Sequence, residues 1–252
     1  MIQSSAVSLE ATIEDWKAAA EPEGGENQLL QNLPAEEATR IDSLLESVEL
    51  ESGVEIAGPG ESIDWVYFPD SCVLSLITVM SGGGGIESLT TGRDGLSGFA
   101  LLTGCNTSFP RVVCQIPGRA RRLPARVFME ALPKMPELHT RALRYSQFGF
   151  DVASQSAACN RVHVTEERCA RWLLLSQDRA GRSDFKLTQV FLAQMLGVRR
   201  PAVTVAIGVL ERSGLIEHRR GRIRISDRDG LERASCECYG LIRARQKELM
   251  GF

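Results

Sequence analysis

The spacing of hydrophobic positions changes along the chain and first indicates a region of short strands. Between about Glu49 and Pro124, apolar and polar residues alternate in runs separated by turn sequences such as "GPGES", "SGGGG" and "GRDG". Many short strands at this spacing predict an antiparallel sandwich or roll. The candidate strands are "VEIA", "WVYF", "CVLSLITVM", "IESLTT", "RVVCQI" and "ARRL".

The segments before this region have different patterns. In "PAEEATRIDSLLESVEL", the apolar residues Ile41, Leu44, Leu45 and Val48 recur at helical spacing and predict a helix that caps the roll. Residues 1–28 are polar and include the loop sequence "EPEGGEN", so we expect a loosely held extension with a short helix around Ile13 and Trp16. The first residues lack a basic start, which argues against a secretory signal.

A long helix is predicted after "LPKMP". Its apolar and small residues alternate in steps of four and three, as in a coiled-coil seam. These positions are Leu138, Ala142, Tyr145, Gly149, Val152, Ser156 and Cys159. Two interpretations remain open: the seam pairs with a second copy of the chain, or the helix packs on its own domain.

The C-terminal third alternates helical patterns and breaks, and predicts the order helix, helix, helix, hairpin, helix. Thr165 is the predicted N-cap of "EERCARWLLLSQDRA", with an apolar stripe that includes Cys169 and Trp172. Thr188 is the predicted N-cap of "QVFLAQML", and Gly197 ends that helix.

The stretch "MLGVRRPAVTVAIGVLERSGLI" is valine-rich but begins with Arg-Arg-Pro. Proline fits the first turn of a helix, where its missing N–H has no intrahelical partner. At helical spacing, Val203, Ile207 and Leu210 share one face, and only a tight turn separates this helix from the preceding one. The pattern predicts a helix-turn-helix whose second helix reads bases. The candidate base-reading residues are Arg199, Arg200, Thr204 and Val205.

A basic hairpin follows the helix-turn-helix pattern. Arginines surround its turn, whereas Ile216, Ile223 and Ile225 can anchor it in a core. Such a wing is suited to phosphate contact, which supplies affinity and register. The predicted phosphate-contacting residues of the wing and the first helix are Thr188, Gln189, Arg219, Arg220, Arg222 and Arg224.

Charge is divided unevenly between the two halves. Residues 161–252 hold 18 Lys and Arg against 11 Asp and Glu, a net charge of +7, although the whole chain carries −3. The remaining residues therefore carry −10. A basic C-terminal part and an acidic N-terminal part favour two domains, one of which binds nucleic acid.

The cysteines and histidines limit the other chemistry that we expect. The seven cysteines form no CxxC pair, and in "CEC" (Cys236, Cys238) no neighbouring His in the sequence completes a zinc site. We expect free thiols, with redox sensing by Cys159, Cys169, Cys236 or Cys238 as an open alternative. His139, His163 and His218 all lie outside the roll, which argues against a metal-dependent enzyme of the cupin type.

The motifs resemble the Crp/Fnr group of bacterial transcription regulators. The resemblance rests on "LTQVFLAQMLGVRRPAVT", "LERSGLIEHRRGRIRISD", "CNRVHVTEERCARWLLLSQDR", "WVYFPDSCVLSLITVMSGGGGIESLTTGRDGLSG" and "CECY". It implies an α+β fold with an N-terminal antiparallel β-roll of the double-stranded β-helix or jelly-roll type. The expected divisions are a flexible extension (1–28), a cyclic-nucleotide-binding-like sensor domain (29–132), a long dimerisation helix (133–160) and a winged helix-turn-helix domain (161–252).

The resemblance assigns roles to individual positions. Arg200 matches the family arginine that reads guanine, but Pro201 and Val205 replace an acidic residue and a second arginine of the cyclic-AMP-responsive branch. Thr204 and Val205 could contact a thymine methyl instead.

In the sensor domain, the resemblance points to a pocket formed by Gly98, Phe99, Arg111 and Val112. Phe99 and Val112 replace the Glu and the Ser that bind cyclic AMP in the family, so we do not expect cyclic AMP to bind in the usual way. The iron-sulfur branch uses cysteines near its N-terminus, whereas the first cysteine here is Cys72. We therefore predict no metal and no cofactor, and the effector is unknown.

The sequence thus predicts a homodimeric, sequence-specific regulator that binds an inverted repeat in double-stranded DNA. We expect it to be cytoplasmic, to contact RNA polymerase, not to associate with membranes, and to have no catalytic residues. The alternatives are a cyclic-nucleotide-binding signalling module without DNA binding and, less favoured, an enzyme built on the β-roll.

Overall fold

Antiparallel strands build the N-terminal part of the fold in this computed structural model, which describes residues 25–82 and 84–252. All six predicted strands form, with ends that shift by a few residues. The strands are β1 (Glu46–Leu50), β2 (Glu55–Ala57), β3 (Trp65–Pro69), β4 (Val73–Val79), β5 (Gly85–Thr91), β6 (Arg111–Ile116) and β7 (Gly118–Pro124). A 3-10 helix, Phe99–Thr103, lies between β5 and β6.

These strands form two sheets that enclose a core. One sheet has the order β1-β7-β3 and the other the order β2-β6-β4-β5, and every pairing is antiparallel. Strands β3 and β4 are buried along most of their length, with Phe68 and Leu74 fully inaccessible. This arrangement confirms the predicted α+β fold with an N-terminal antiparallel β-domain.

The helix predicted to run through "PAEEATRIDSLLESVEL" is shorter than expected. Helix α1 covers Ala35–Asp42 only, and "ESVEL" forms strand β1. The helical spacing of Leu44, Leu45 and Val48 was therefore misleading. Pairing with β7 supplies five consecutive residues of β1 with ladder partners, and this tertiary contact outweighs the local periodicity.

Part of the predicted flexible extension is firmly held. Residues 1–24, including the helix expected around Ile13 and Trp16, lie outside the described residues. Asn27, however, is fully buried, and its side-chain amide donates hydrogen bonds to the carbonyls of Pro69 (2.9 Å) and Gly95 (2.7 Å). Residues 25–28 thus belong to the packed β-domain.

Two helices connect the β-domain to the rest of the chain. Helix α2 (Ala125–Ala131) was not predicted and leads through a short 3-10 turn, Leu132–Lys134, into the predicted long helix α3 (Pro136–Val162). The side chain of Glu37 in α1 accepts hydrogen bonds from the N–H groups of Glu137 and Leu138, which are otherwise unpaired at the start of a helix.

The C-terminal part contains the predicted helices and hairpin together with two further elements. Its elements are α4 (Thr165–Ala180), β8 (Asp184–Lys186), α5 (Gln189–Leu196), α6 (Arg200–Arg212), β9 (Ile216–Arg219), β10 (Arg222–Ile225), α7 (Arg228–Ala234) and α8 (Cys238–Met250). Strand β8 adds to the hairpin in the order β8-β10-β9, and two final helices replace the single one expected.

Capping in this part follows the prediction at one helix and departs from it at another. The Thr188 side chain accepts a hydrogen bond from the Phe191 N–H, and Gly197 ends α5 in the left-handed region with φ +63°. Thr165 is not an N-cap, because Val164 occupies that position without a side-chain bond.

Among the described residues, no single helix is long and apolar enough to cross a membrane. Helices α5 and α6 meet the length and composition criteria only as a pair, bent by 105°. Several of their apolar residues, namely Leu192, Leu196 and Val203, are buried in the core.

Candidate nucleic-acid interface and sensor region

Helices α5 and α6 form the predicted helix-turn-helix. Gly197 and Val198 lead into Arg199, the N-cap of α6, and the two helix axes differ in direction by 105°. That angle lies within the range of helix-turn-helix motifs. Pro201 sits in the first turn of α6, as its missing N–H requires.

One face of α6 fixes the helix to the core and the other is open. The buried residues are Val203, Ala206, Ile207 and Leu210, which confirms the helical interpretation of the valine-rich stretch. The candidate base-reading residues are all exposed and are Arg199, Arg200, Thr204 and Val205. The arrangement presents two cations, a hydroxyl and an apolar side chain on the first two turns.

Thr204 is linked to the first helix of the motif. Its hydroxyl donates a hydrogen bond to Oε1 of Gln189 (2.9 Å) and lies 3.2 Å from the carbonyl of Arg200. Gln189 is the first residue of α5, so this contact joins the N-terminal turns of the two helices. Both residues were predicted to contact DNA, but their mutual hydrogen bond was not.

The wing presents two exposed arginines at its tip. Arg219 ends β9, and Arg220 follows with φ +48°, beside Gly221 with φ +75°. The turn therefore uses two left-handed residues, the geometry of tight two-residue hairpins. Arg224 lies on β10 and is half-buried.

Arg222 has a different environment from the one predicted. Its guanidinium forms a two-pronged ion pair with the buried carboxylate of Asp184, at 2.7 Å (Nη2–Oδ2) and 3.2 Å (Nε–Oδ1). The pair connects β10 to β8, a strand that the sequence did not reveal. Asp184 thus accepts hydrogen bonds from two of the guanidinium donors, and the phosphate contact assigned to Arg222 stays a prediction.

Six of the seven seam positions predicted in α3 face the chain's own core. Leu138, Ala142, Tyr145, Gly149, Val152 and Ser156 are all buried within the monomer. The Tyr145 hydroxyl donates a hydrogen bond to Thr91 (2.9 Å), and a Cβ on Gly149 would lie 3.2 Å from Leu89. The small residues of the seam thus permit close approach to β5, and these six residues pack within the chain.

Of the predicted sensor positions, Phe99 contacts α3 and Arg111 pairs with strand β2. Gly98, with φ +75°, starts the 3-10 helix, and the ring of Phe99 packs edge-on against Tyr145 with centroids 6.1 Å apart. Arg111 pairs with Glu55 at 3.2 Å, and Val112 is buried. Arg111, the one cation among these four positions, therefore already has a carboxylate partner on the neighbouring strand β2.

The "GRDG" turn joins the β-domain to α4. A Cβ on Gly92 would lie 2.3 Å from the Cβ of Arg179, so only glycine permits this approach. The guanidinium of Arg179 binds Asp94 (Nε–Oδ2, 3.2 Å) and Thr90 (Nη1–Oγ1, 2.5 Å), and both charged side chains are buried. The turn that follows β5 thus forms a tight, buried contact between the β-domain and helix α4 of the C-terminal part.

Three of the seven cysteines come together with a histidine. Cys159, Cys236 and Cys238 lie beside His163, although the sequence suggested no histidine near "CEC". That expectation is corrected, because the fold brings the end of α3 to the start of α8. The hydrogen bond from Cys236 lowers the pKa of Cys159, whereas burial raises the pKa of Cys169 to about 12 and keeps that thiol protonated and unreactive.

Comparison with known proteins agrees with these features. Residues 167–234, from α4 to α7, match the family described as the Crp-like helix-turn-helix domain. A search of curated proteins gives no match.

Solved structures with the same fold cover about three quarters of the chain. FixK2 from Bradyrhizobium japonicum has a TM-score of 0.64 at 16% identity, covering 76% of this chain and 98% of its own. The c-di-GMP responsive global regulator CLP from Xanthomonas campestris has a TM-score of 0.61 at 13% identity, covering 76% and 99%. A CRP/FNR-family transcriptional regulator from Thermus thermophilus has a TM-score of 0.56 at 23% identity, covering 75% and 98%.

Two of these three proteins, CLP and the Thermus thermophilus protein, are described as regulators. The resemblance predicted from the sequence is confirmed: the chain has the fold of the Crp/Fnr-type transcription regulators and carries a Crp-like helix-turn-helix domain.

Proposed function

We propose that this protein is a cytoplasmic transcription regulator that binds an inverted repeat in double-stranded DNA as a homodimer. The observation that carries the proposal is the open first turn of α6, where Arg199 and Arg200 are exposed inside a Crp-like helix-turn-helix. The second helix of such a motif places its N-terminal side chains on base edges in the major groove.

Base reading is divided among the exposed residues of α6. Arg200 can donate two hydrogen bonds to O6 and N7 of a guanine, whereas Val205 offers an apolar surface to a thymine methyl. Gln189 positions Thr204 through their hydrogen bond, so these two residues act as one recognition unit. Proline at 201 fixes the backbone that presents Arg200.

Affinity comes from the phosphates on either side of the recognition helix. The exposed Arg219 and Arg220 extend from the wing, and the N-terminus of α5 offers backbone N–H groups near Thr188 and Gln189. Arg222 supports this surface indirectly, since its bond to Asp184 holds the wing against β8.

The dimer forms through the outward face of α3. Exposed residues, some of them apolar, recur on this face in steps of three and four, which is the spacing of a coiled-coil seam. They are Thr140, Leu143, Gln147, Phe150, Ser154 and Ala157. Phe150 is 68% exposed and Leu143 46% exposed, which is costly unless a second copy covers them. Each chain has one recognition helix, α6, so a dimer provides the two recognition helices that an inverted repeat needs.

The β-domain supplies the regulatory input to this dimer. Its residues Phe99 and Asp94 contact α3 and α4 directly, so a ligand that moves the segment after β5 changes the position of the helix-turn-helix. Phe99, Val112 and the Arg111–Glu55 pair argue against a cyclic nucleotide bound in the usual way. The regulated step is transcription initiation by RNA polymerase.

Selection from a random pool of DNA duplexes tests this function. We expect purified protein to enrich one inverted repeat with half-sites about one helical turn apart. The Arg200→Ala variant should enrich a different or less defined sequence, whereas Arg212→Ala, at the far end of α6, should enrich the wild-type repeat. Recovery of unrelated sequences by the wild-type protein would contradict the proposal.

A further inference from the structure

The end of α3 and the start of α8 bring four metal-ligating side chains to one place. They are Cys159, His163, Cys236 and Cys238, and their ligand atoms all lie within 4.8 Å of one another. The Sγ atoms of Cys159 and Cys236 are 3.6 Å apart, and Sγ of Cys238 is 3.7 Å from Nδ1 of His163.

These separations agree with a single tetrahedral ion. Zinc binds thiolate sulfur at about 2.3 Å and imidazole nitrogen at about 2.0–2.1 Å, so neighbouring ligands are separated by about 3.6–3.8 Å. The two measured pairs match these values, and the remaining pairs need to contract by at most about 1.2 Å. Three cysteines and one histidine are a common ligand set for structural zinc.

The backbone sets the four ligands in place from two distant segments. Cys159 and His163 are four residues apart at the last turn of α3, so their side chains lie on one face. Cys236 lies in the break between α7 and α8, and Cys238 is the first residue of α8. The pairs are separated by more than 70 residues, which is why their spacing shows no zinc signature.

Neighbouring groups orient the ligands as around known zinc sites. Nε2 of His163 lies 2.9 Å from a carboxylate oxygen of Glu237, which leaves Nδ1 directed at Cys238. A carboxylate on the second imidazole nitrogen fixes the ring and its tautomer when the first nitrogen binds zinc. The side-chain amide of Gln155 donates a hydrogen bond to Sγ of Cys238 at 3.0 Å.

Burial and charge also suit a closed structural site. Cys159, Cys236 and Cys238 are buried in a cluster of their own, separate from the main core. Zinc with three thiolates and a neutral imidazole carries one negative charge. The buried side chains of Arg168 and Arg171 interact electrostatically with Cys159 and compensate that charge.

We propose that Cys159, His163, Cys236 and Cys238 bind one Zn²⁺ ion per chain. Binding releases one proton from each of the three thiols, and the imidazole coordinates through Nδ1 while its Nε2–H donates to Glu237. The ion ties α8 to the junction of α3 and α4, residues 162–165, and thereby fixes the direction in which the helix-turn-helix leaves the long helix. This proposal does not depend on DNA binding.

Metal analysis of the full chain purified under reducing conditions tests the site. We expect one zinc per chain in the wild type and in Cys105→Ser, a control at an exposed cysteine outside the cluster. Cys236→Ser should lose the zinc. Cobalt added to the metal-free wild type should produce thiolate charge-transfer and tetrahedral ligand-field bands, and Cys236→Ser should not produce them.

A milder variant separates metal binding from folding. Glu237 is largely exposed, so Glu237→Gln should fold normally but bind zinc about 10–100-fold more weakly in competition with a chelator. Three results would overturn the proposal: a wild-type protein that binds neither zinc nor cobalt, one that holds iron and sulfide instead, or a Glu237→Gln variant and a Cys236→Ser variant that both bind zinc as the wild type does.

Discussion

The indole Nε1 of Trp172 donates a hydrogen bond to Oε1 of Glu87 at 2.8 Å, across the boundary between α4 and β5. The other carboxylate oxygen accepts a hydrogen bond from Ser75. Desolvation raises the pKa of Glu87 to about 7, despite the nearby charges of Arg179 and Arg171. The contact between the β-domain and the C-terminal part thus contains a carboxyl group with a pKa of about 7.

This pKa predicts a pH-dependent stability at this contact. The folded protein holds the Glu87 proton more tightly than the unfolded chain does, because the pKa of Glu87 in the unfolded chain is near 4.5. The wild type should therefore lose stability relative to Glu87→Gln as pH rises from about 4.5 to 7, by up to about 3 kcal/mol, and stay level above that. Urea unfolding of both proteins at several pH values measures the difference, and a pH-independent difference would contradict the assignment.

Removing one partner of the buried Arg179–Asp94 ion pair should destabilise the fold, because the other charge stays buried without a partner. Asp94→Asn leaves the guanidinium buried without its carboxylate and should lower the free energy of unfolding by about 3–5 kcal/mol. The double variant Asp94→Asn with Arg179→Met removes the stranded charge and should recover part of that loss. Chemical denaturation checks both, and losses that simply add would contradict the pairing.

The wing arginines should separate into two kinds. Arg219→Ala should weaken binding to all DNA sequences alike and reduce the slope of log affinity against log salt by about one. Arg222→Ala should instead lower stability by about 1–3 kcal/mol, because Asp184 loses its partner in a buried position. Salt-dependent binding and thermal unfolding distinguish them, and equal salt slopes for both variants would show that Arg222 also meets phosphate.

A charged substitution on the outward face of α3 should disrupt the proposed dimer. Phe150→Glu should give a monomer at concentrations where the wild type is a dimer, since a charge would be buried at the centre of the seam. Phe109→Glu changes an 80% exposed phenylalanine of the β-domain and should leave the dimer intact. Sedimentation equilibrium decides, and a monomeric wild type or a dimeric Phe150→Glu variant would contradict the assignment.

Local sequence patterns predicted most helices and strands, because most of these elements contain capping, turn or periodicity signals within their own sequence. Thr188, Gly197 and Pro201 mark the ends of α5 and α6 through capping and ring geometry that depend on neighbouring residues alone. Strand β1 and strand β8 were missed, since their pairing partners lie about 70 and 40 residues away, at β7 and β10. Their own sequences contain little that favours a strand.

The site residues show the same limit. The exposure of Arg200 and Val205 follows from helical spacing, which the sequence contains. The partners of Arg222, Arg111 and His163 cannot be predicted from local spacing. These partners, Asp184, Glu55 and the "CEC" cysteines, come into contact with them only in the folded chain. The predicted seam of α3 is covered by the chain's own core, since periodicity identifies an apolar face and not what covers it.

The most direct test of DNA recognition is the affinity of Arg200→Ala for the selected repeat and for random DNA of the same length. Equilibrium binding at fixed salt should show that Arg200→Ala loses about 1–3 kcal/mol of binding free energy on the repeat per contacted base, with little change on random DNA. The control Arg212→Ala should bind both DNAs as the wild type does. An equal loss on the two DNAs would contradict base reading by Arg200.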